Sequence, residues 1–125
     1  MSTIAVDNVK PSAGGTSFST RGVAKAWANL NGTGTIALRD SENVSSVTDN
    51  STGRYTFSFT NSMSDGNYLS AITGGNNNVG VEGAWGAALG TATNLAGSVD
   101  SVHYNSAGST QDQTQVFLTI NGDLA

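Results

Sequence analysis

Side chains able to do acid–base or metal chemistry are scarce in this chain. His103 is the only histidine, cysteine is absent, and nine acidic residues are spread along the sequence. A Ser-His-Asp mechanism or a histidine-based metal site would have to use His103, which has no second His and no Cys at ligand spacing. A lone histidine on a strand is more often a surface or core residue than a base. We therefore predict no metal site and no catalytic residue.

Most of the acidic residues lie in segments that resemble turns, where Asp accepts hydrogen bonds from nearby backbone amides. Asp40 and Glu42 are close enough in sequence to act as an acid and a base, or to bind calcium. Their surroundings lack the alternating acids, ending in Glu, that a calcium loop requires. Gly14-Gly15 and Gly74-Gly75 lack the Lys and the helix that follow a phosphate-binding loop. The sequence therefore favours turns, no cofactor and no enzymatic activity.

Three polar segments are candidates for contact with a partner. Residues 61–67, 74–78 and 105–112 are small and polar. Loops of this kind support adaptable hydrogen bonding. The candidate receptor-contact residues are Asn76, Asn77, Asn78, Asn105 and Ser106.

The elements that must hold these loops are β-strands, and the clearest one runs over residues 54–60. Tyr55, Phe57 and Phe59 alternate there with polar residues. Alternation places the three rings on one face of a strand, whereas a helix would scatter them around its axis. This row predicts the core face of a sheet. A sugar-stacking platform is the alternative.

Turn signals rich in Gly, Asn, Asp and Ser divide the rest of the sequence into short apolar runs. About eight strands at spacings near ten residues are typical of an antiparallel β-sandwich, and this all-β fold is our prediction. The predicted strands cover residues 23–30, 35–39, 43–48, 54–60, 68–73, 79–88, 98–104 and 113–121. Residues 89–97 are ambiguous, and a short helical turn is one alternative there.

The third predicted strand, over residues 43–48, is expected to be irregular. Val44 and Val47 are out of phase, and a bulge near Ser45-Ser46 would reconcile them. We expect turns on either side, over residues 40–43 and 49–53, because Asp, Asn, Ser and Gly accumulate there.

Residues 1–22 differ from residues 23–125, which we predict to form the sandwich. Ile4, Val6 and Val9 form a short extended segment, and a flexible linker follows it. Such an arm docks on a partner or begins a stalk, and these three side chains are the candidate anchors. A frayed terminus is the alternative. We expect no signal peptide and no membrane insertion, since the basic and long apolar runs that they require are not seen.

The composition limits both the partners and the stability of the chain. The net charge is −4 and charged residues make up 11 % of the sequence, so nucleic acid and anionic membranes are not predicted partners. About one fifth of the residues are Leu, Ile, Val or Phe, which leaves little apolar surface to offset conformational entropy. No disulfide can compensate. We infer that neighbouring copies cover part of each chain.

The segment from Lys25 to Thr56 has a distinctive order of residues. Its marked positions are Lys25-Ala26-Trp27, Asn29, Asn31-Gly32-Thr33-Gly34-Thr35, Arg39-Asp40-Ser41, Asn43-Val44-Ser45-Ser46, Thr48-Asp49-Asn50, Thr52-Gly53 and Tyr55-Thr56. This segment resembles part of the tail fibre proteins of tailed bacteriophages, notably phages of marine and cyanobacterial hosts. The opening residues 1–8 are similar to the N-terminus of the same proteins.

The resemblance implies a homotrimeric virion component that is assembled in the cytoplasm of a bacterial host. It implies that the N-terminal arm contacts other virion proteins and that the outer part contacts a glycan or protein of the host surface. It transfers no catalytic residue. Ala28, Glu42 and Ser64 depart from the family pattern, and only a short linker stands where the family has a long shaft. A stubby fibre or a decoration subunit is therefore expected.

Three functions stay open at this point. The favoured one is a tail fibre-like subunit with a role in host attachment. The second is a capsid, collar or tail-tip decoration protein that binds no receptor. The third is a monomeric carbohydrate-binding module in which exposed Trp27, Trp85 or Tyr104 forms the platform, although Trp packs more commonly in cores or between subunits.

Overall fold

The structure, a computed structural model, describes residues 2–9, 14–75, 93–105 and 107–125. Within these ranges the chain is built from β-strands, with one 3-10 turn at Thr20–Gly22 and no α-helix. The strands are β1 (Asn8–Val9), β2 (Phe18–Ser19), β3 (Ala24–Asn31), β4 (Ala37–Glu42), β5 (Val44–Ser51), β6 (Arg54–Phe59), β7 (Leu69–Gly75), β8 (Asn94–Leu95), β9 (Ser98–Val102) and β10 (Gln115–Asn121). No helix in the described ranges is long and apolar enough to cross a membrane.

Eight of these strands form two four-stranded antiparallel sheets. The β3 sheet has the strand order β4-β3-β10-β7, and the β6 sheet has the order β5-β6-β9-β8. The buried faces of both sheets contribute to one hydrophobic cluster, as in a β-sandwich. The prediction of an all-β fold with antiparallel sheets is confirmed.

The core is formed by alternate residues of the central strands. Tyr55, Phe57 and Phe59 of β6 are all buried in it, as the alternation predicted. They face Leu30 of β3 and Leu118 of β10, which are also buried. The aromatic row is therefore the inner face of the β6 sheet and not a sugar-stacking platform.

The sequence left open which face of β3 is inward, and the structure resolves it. Ala26, Ala28 and Leu30 are buried, whereas Trp27 is exposed on the outer face. The small alanines fit because the large rings of β6 fill the space between the sheets. Trp27 instead lies beside Thr119 of β10.

The bulge predicted near Ser45-Ser46 is confirmed, because the register between β5 and β6 shifts between Val44 and Ser46. The predicted turn at 40–43 is wrong: residues 40–42 continue β4, since their backbones pair with β3. Only Asn43, with φ of 56°, turns the chain from the β3 sheet into the β6 sheet. Its side chain holds the corner, accepting from Asn61 N at 2.7 Å and donating to Asn61 O at 3.0 Å.

The predicted turn at 49–53 is also too long. β5 continues to Ser51 through a second bulge between Asp49 and Ser51, and the turn consists of Thr52 and Gly53. Gly53 has φ of 68°, and a Cβ there would collide with the backbone of Gln111 and His103. Backbone pairing with β6 therefore outweighs the turn preference of the polar residues.

The later strands keep the predicted order with shifted ends. β7, β9 and β10 correspond to the strands predicted over 68–73, 98–104 and 113–121. The strand predicted over 79–88 lies outside the described residues. In the described part of 89–97 the alternative of a helical turn is wrong, because β8 pairs with β9 as a hairpin.

The N-terminal arm pairs with itself. β1 is antiparallel to β2, and Thr20 N donates to Asp7 O at 3.0 Å. Among the described residues, hydrogen bonds that connect this region to the sandwich include Lys25 Nζ to Thr20 O at 3.0 Å and Asn121 Nδ2 to Gly22 O at 2.8 Å.

Candidate functional site: a polar groove on the β6 sheet

The outer face of the β6 sheet carries polar residues of three adjacent strands. Because Tyr55 and Phe57 face the core, Arg54 and Thr56 face outward. The register places Asp100 of β9 opposite Thr56 and Val102 opposite Arg54. Asn50 of β5 lies at the second bulge, beside this pair of strands. A bulge commonly re-aims a side chain in this way.

These outward residues border an open groove of about 290 Å³. Its lining residues are Asn50, Arg54, Tyr55, Thr56, Asp100, Ser101 and Val102. Val102 is only 4 % exposed although its position in the register is on the outer face. All of the lining residues belong to the strands β5, β6 and β9 and none to a loop. A site on strands holds its polar groups in a more fixed arrangement than a site on loops.

A chain of hydrogen bonds fixes one side of the groove. Asn50 Nδ2 donates to Thr56 Oγ1 at 2.8 Å, and the Thr56 hydroxyl donates to Asp100 Oδ1 at 2.6 Å. In the described part of the chain, Asp100 Oδ2 and Asn50 Oδ1 accept no hydrogen bond from another side chain or from the backbone. Two acceptor oxygens are thus held in place and remain available.

The other side of the groove is cationic. Within the described ranges, the Arg54 guanidinium has no hydrogen bond and no ion pair, although Asp100 lines the same groove. The guanidinium offers several N–H donors in a planar fork, and a carboxylate offers only acceptors. The groove therefore presents one positive and one negative group together.

This arrangement can bind a polar ligand by hydrogen bonds. Among the described residues, no group of three or more His, Cys, Asp or Glu side chains is placed to hold a metal ion. The Thr56 hydroxyl donates to the carboxylate of Asp100, a half-buried residue, and the lining residues of the groove include no histidine. The side chains present are typical of recognition.

No protein-family model, curated protein or solved structure matches this chain. The assignment of a function therefore depends on the geometry of the described residues and on the resemblance of the segment from Lys25 to Thr56. That segment forms β3, β4 and β5 and enters β6, so it contains Asn50, Arg54 and Thr56 of the groove.

Asn105 is the predicted contact residue that the structure describes, and it does not line this groove. Asn76, Asn77, Asn78 and Ser106 lie outside the described residues. Asn105 is described, and its Oδ1 accepts from the backbone N of Ala107 and of Ser109, both at 3.0 Å. This oxygen therefore shapes its own loop.

The predicted anchors of the arm are all exposed. Ile4 is 85 % exposed, and Val6 and Val9 are exposed as well. Their exposed surface is accessible to another molecule.

Sequence reasoning missed the groove because two of its strands are far apart in sequence. Alternation around Tyr55 and Phe57 already implied that Arg54 and Thr56 face outward. No local signal connects Thr56 with Asp100, which lies 44 positions away. Without the register of β6 and β9, their hydrogen bond could not be predicted.

A second polar cluster is buried at one end of the sandwich. His103, only 1 % exposed, and Gln113 have side-chain nitrogen and oxygen atoms with no hydrogen-bond partner among the described residues. Burial lowers the pKa of His103 to about 4, so the imidazole is neutral at pH 7. A Cβ on Gly74 would lie 2.7 Å from His103 Nδ1 and 3.3 Å from Gln113 Cγ, so only Gly fits between them.

Tyr55 connects the two sheets near this cluster. Its hydroxyl lies 2.9 Å from Gly32 O, in the β3–β4 turn, and 3.0 Å from Asp112 Oδ1. Asp112 Oδ1 also accepts from Gly53 N at 2.6 Å. Burial, reinforced by the hydrogen bond to Asp112, raises the pKa of Tyr55 far above its ordinary value. His103 and Tyr55 are therefore core residues of the described sandwich.

The outer face of the β3 sheet differs from the groove. Trp27 of β3, Phe117 of β10 and Leu69 of β7 are all exposed there, and Leu69 is 65 % exposed. Trp27 lies opposite Thr119, and Phe117 lies opposite Asn29, so the two rings are diagonal neighbours on adjacent strands. We call Trp27, Leu69 and Phe117 the apolar face.

Proposed function

We propose that this chain is a structural subunit of a tailed-bacteriophage particle, of the tail-fibre type, that forms a homotrimer and contributes to attachment to the host surface. The observation that carries the proposal is the contrast between the two outer faces of the sandwich. One face is apolar and suited to contact with other copies, and the other has a polar groove suited to a ligand. The assignment to a bacteriophage particle comes from the resemblance of the segment from Lys25 to Thr56 to tail fibre proteins.

Contact between copies is supported by the exposed side chains of the apolar face. Large aromatic residues are enriched where proteins associate, because they bury much area with little loss of entropy. Charged residues of the same outer surface lie beside these rings. Asp40 and Glu42 are on the edge strand β4, with Glu42 opposite Trp27. Lys25 is on β3, and its Nζ donates to Thr20 O at 3.0 Å. We assign a second copy of this chain as the occupant, since the chain has few large apolar residues with which to stabilise itself alone.

The N-terminal arm is proposed to contact other proteins of the particle. Ile4, Val6 and Val9 are exposed and apolar. Ile4 and Val6 precede β1, and Val9 lies in β1, which pairs with β2. An exposed apolar segment next to such a pairing is suited to dock on a partner surface.

A decoration protein of the capsid, collar or tail tip is the second candidate. The observation in its favour is the short linker between Val9 and Lys25, which is too short for a shaft. Such a protein would use the apolar face and the arm in the same way, but it would not bind the host.

Light scattering coupled to size-exclusion chromatography tests the assembly. The proposal predicts a mass three times the chain mass of 12.7 kDa. Deletion of residues 1–22 should leave the number of chains at three, so that the measured mass is three times that of the shortened chain, because the apolar face lies in the sandwich. A mass of one chain at micromolar concentration would contradict the proposal and favour a monomeric module.

Electron microscopy of particles labelled with an antibody against the chain separates the two virion candidates. A tail fibre-like subunit predicts labels at the host-facing end of the tail, and adsorption should fall when purified chain is added. Labels on the capsid or collar with unchanged adsorption would favour the decoration protein. Absence of the chain from the particles would overturn both.

A further inference from the structure

We propose that the groove on the β6 sheet binds a neutral saccharide through its hydroxyl groups. The assignment of that saccharide to the host surface rests on the proposed function, but the binding chemistry rests on the groove alone. The residues that would contact the sugar are Asn50, Arg54 and Asp100.

The charges of the groove favour a neutral ligand. An anion would pair with Arg54 but would meet the carboxylate of Asp100, and an amine would have the reverse conflict. A hydroxyl group both donates and accepts, so two neighbouring hydroxyls can donate to Asp100 Oδ2 and accept from the Arg54 guanidinium. Asn50 Oδ1 is a further acceptor in the same groove.

The hydrogen bonds within the groove prepare it for this role. Thr56 fixes Asp100 by its hydroxyl at 2.6 Å and accepts from Asn50 at 2.8 Å. Because these side chains are held before the ligand arrives, less conformational entropy is lost on binding. The Arg54 guanidinium has no protein partner in the described part of the chain, so no ion pair must break.

The size of the groove limits the ligand to a short saccharide. Its volume of about 290 Å³ lies at the lower end of the range for small-molecule sites. The ring of Tyr55 is buried in the core, so among the lining residues no aromatic face is available for stacking. We therefore expect weak binding to a single chain, with a Kd of about 1 mM or higher. Several copies on one particle would strengthen the attachment by multivalency.

Titration of the ¹⁵N-labelled full chain, followed by amide chemical shifts, tests this inference. The probes are the methyl glycosides of glucose, galactose, mannose and N-acetylglucosamine, with sodium sulfate as the anionic comparison. We expect saturable shifts at Arg54, Thr56 and Asp100 with at least one glycoside, and no saturation with sulfate. Absence of saturable shifts with all four glycosides, or tighter binding of sulfate, would overturn the inference.

Variants connect the binding to the named side chains. Arg54→Met and Asp100→Asn should each weaken glycoside binding by about tenfold or more, since each removes a charged hydrogen-bonding group. Arg39→Gln is the matched control, because Arg39 lies on the β3 sheet and donates to Asn29 and Leu30. Equal binding by Arg54→Met, Asp100→Asn and the unchanged chain would contradict the assignment, provided that their amide spectra show the native fold.

The outcome separates this inference from the proposed function. A trimer located at the tail tip that binds none of the glycosides would overturn the saccharide site and leave the virion assignment standing. A monomeric chain that binds a glycoside but is absent from the particle would support the saccharide site and overturn the virion assignment.

Discussion

The two outer faces of this sandwich share one core but differ in chemistry. The β3 sheet exposes Trp27, Leu69 and Phe117. The β6 sheet carries exposed Arg54 and half-buried Asp100 around a groove, and its exposed apolar residue Leu95 lies on the edge strand β8. In both sheets, alternate residues of the central strands are buried in the same cluster. The inner residues therefore specify the fold, and the outer residues are free to specify two different contacts.

Irregularities in the strands sharpen this difference. The bulge between Asn29 and Leu30 in the pairing of β3 with β4 leaves Arg39 as an additional residue, which donates to Asn29 Oδ1 at 3.3 Å. The bulge in β5 places Asn50 beside Thr56. Arg39 of the β3 sheet therefore has hydrogen-bond partners within the protein. Arg54 of the β6 sheet has none among the described residues.

The largest expected effect comes from breaking the core on which both faces depend. Phe57→Ala should lower the free energy of unfolding by about 3–5 kcal/mol, because it removes a fully buried ring and leaves a cavity. Urea denaturation at neutral pH measures the loss. Ser58→Ala is the control: it is the next residue on β6, faces outward, and should change stability by less than about 0.5 kcal/mol. Comparable losses for both variants would contradict the account, because burial of Phe57 in the core would then stabilise the fold no more than an outward serine does.

Acid should destabilise the sandwich through His103. The pKa of this imidazole is about 4 in the folded chain, below its ordinary value of 6.5. The unfolded chain therefore binds the proton first, and the stabilisation, complete above pH 6.5, is lost as the pH falls toward 4. Between pH 7 and pH 5 the loss should be about 2 kcal/mol.

Urea denaturation at pH 7 and pH 5 measures this effect, with His103→Gln as the control. The variant has no group that titrates at this position, so its stability should change much less over the same interval. Parallel losses in both proteins would show that the buried histidine does not cause the acid sensitivity.

A smaller effect is expected at the connection between the two sheets. Tyr55→Phe removes the hydroxyl that lies between Gly32 O and Asp112 Oδ1, and it should cost about 1–3 kcal/mol. Tyr104→Phe is the matched control, because the Tyr104 hydroxyl has no hydrogen bond within the described ranges. Thermal or urea unfolding compares the two. An equal and small change would indicate that this hydroxyl contributes little to holding the sheets together.

The apolar face should affect assembly more than the fold of one chain. The double variant Trp27→Ser and Phe117→Ser should raise the dissociation constant of the assembly by at least about tenfold, since it removes two large aromatic contacts. Light scattering over a dilution series measures this constant. Thr119→Ala, on the same outer face, should change it little. An unchanged mass for the double variant would exclude this face as the contact between copies.

The smallest effect on stability is expected at the groove. Arg54→Met should change the free energy of unfolding by less than about 0.5 kcal/mol, because the side chain is exposed and has no ion pair among the described residues. Urea unfolding and the mass in solution should both match those of the unchanged chain. A clear loss of stability would mean that Arg54 belongs to the fold, and the contrast between the faces would then be weaker.

The predictable part of this structure depends on local sequence patterns. Alternation gave the buried row of Tyr55, Phe57 and Phe59, and the phase shift between Val44 and Val47 gave the first bulge. The lengths of β4 and β5 were not predictable from turn preferences, because polar residues over 40–42 and 49–51 gain more from pairing with neighbouring strands than from turning.

The candidate site was not predictable for a related reason. The contact of Thr56 with Asp100 depends on the register of two strands that are distant in sequence. The prediction that Asn105 contacts a receptor rests on composition, which cannot show that the side-chain oxygen accepts hydrogen bonds from its own loop. Residue composition can therefore predict polar loops. The polar groups of the groove, in contrast, are brought together by the pairing of distant strands.

Solvent accessibility of the two faces in the assembled protein is the most direct test of this account. A soluble gadolinium chelate should strongly relax the NMR signals of Arg54 and Asp100 but not the indole N–H of Trp27, and Trp27 assignment can be made with Trp27→Phe. In the variant with Phe117→Ser, the Trp27 signal should become sensitive to the chelate as the copies separate. Equal relaxation of both faces in the unchanged protein, or protection of the groove in place of Trp27, would contradict the account.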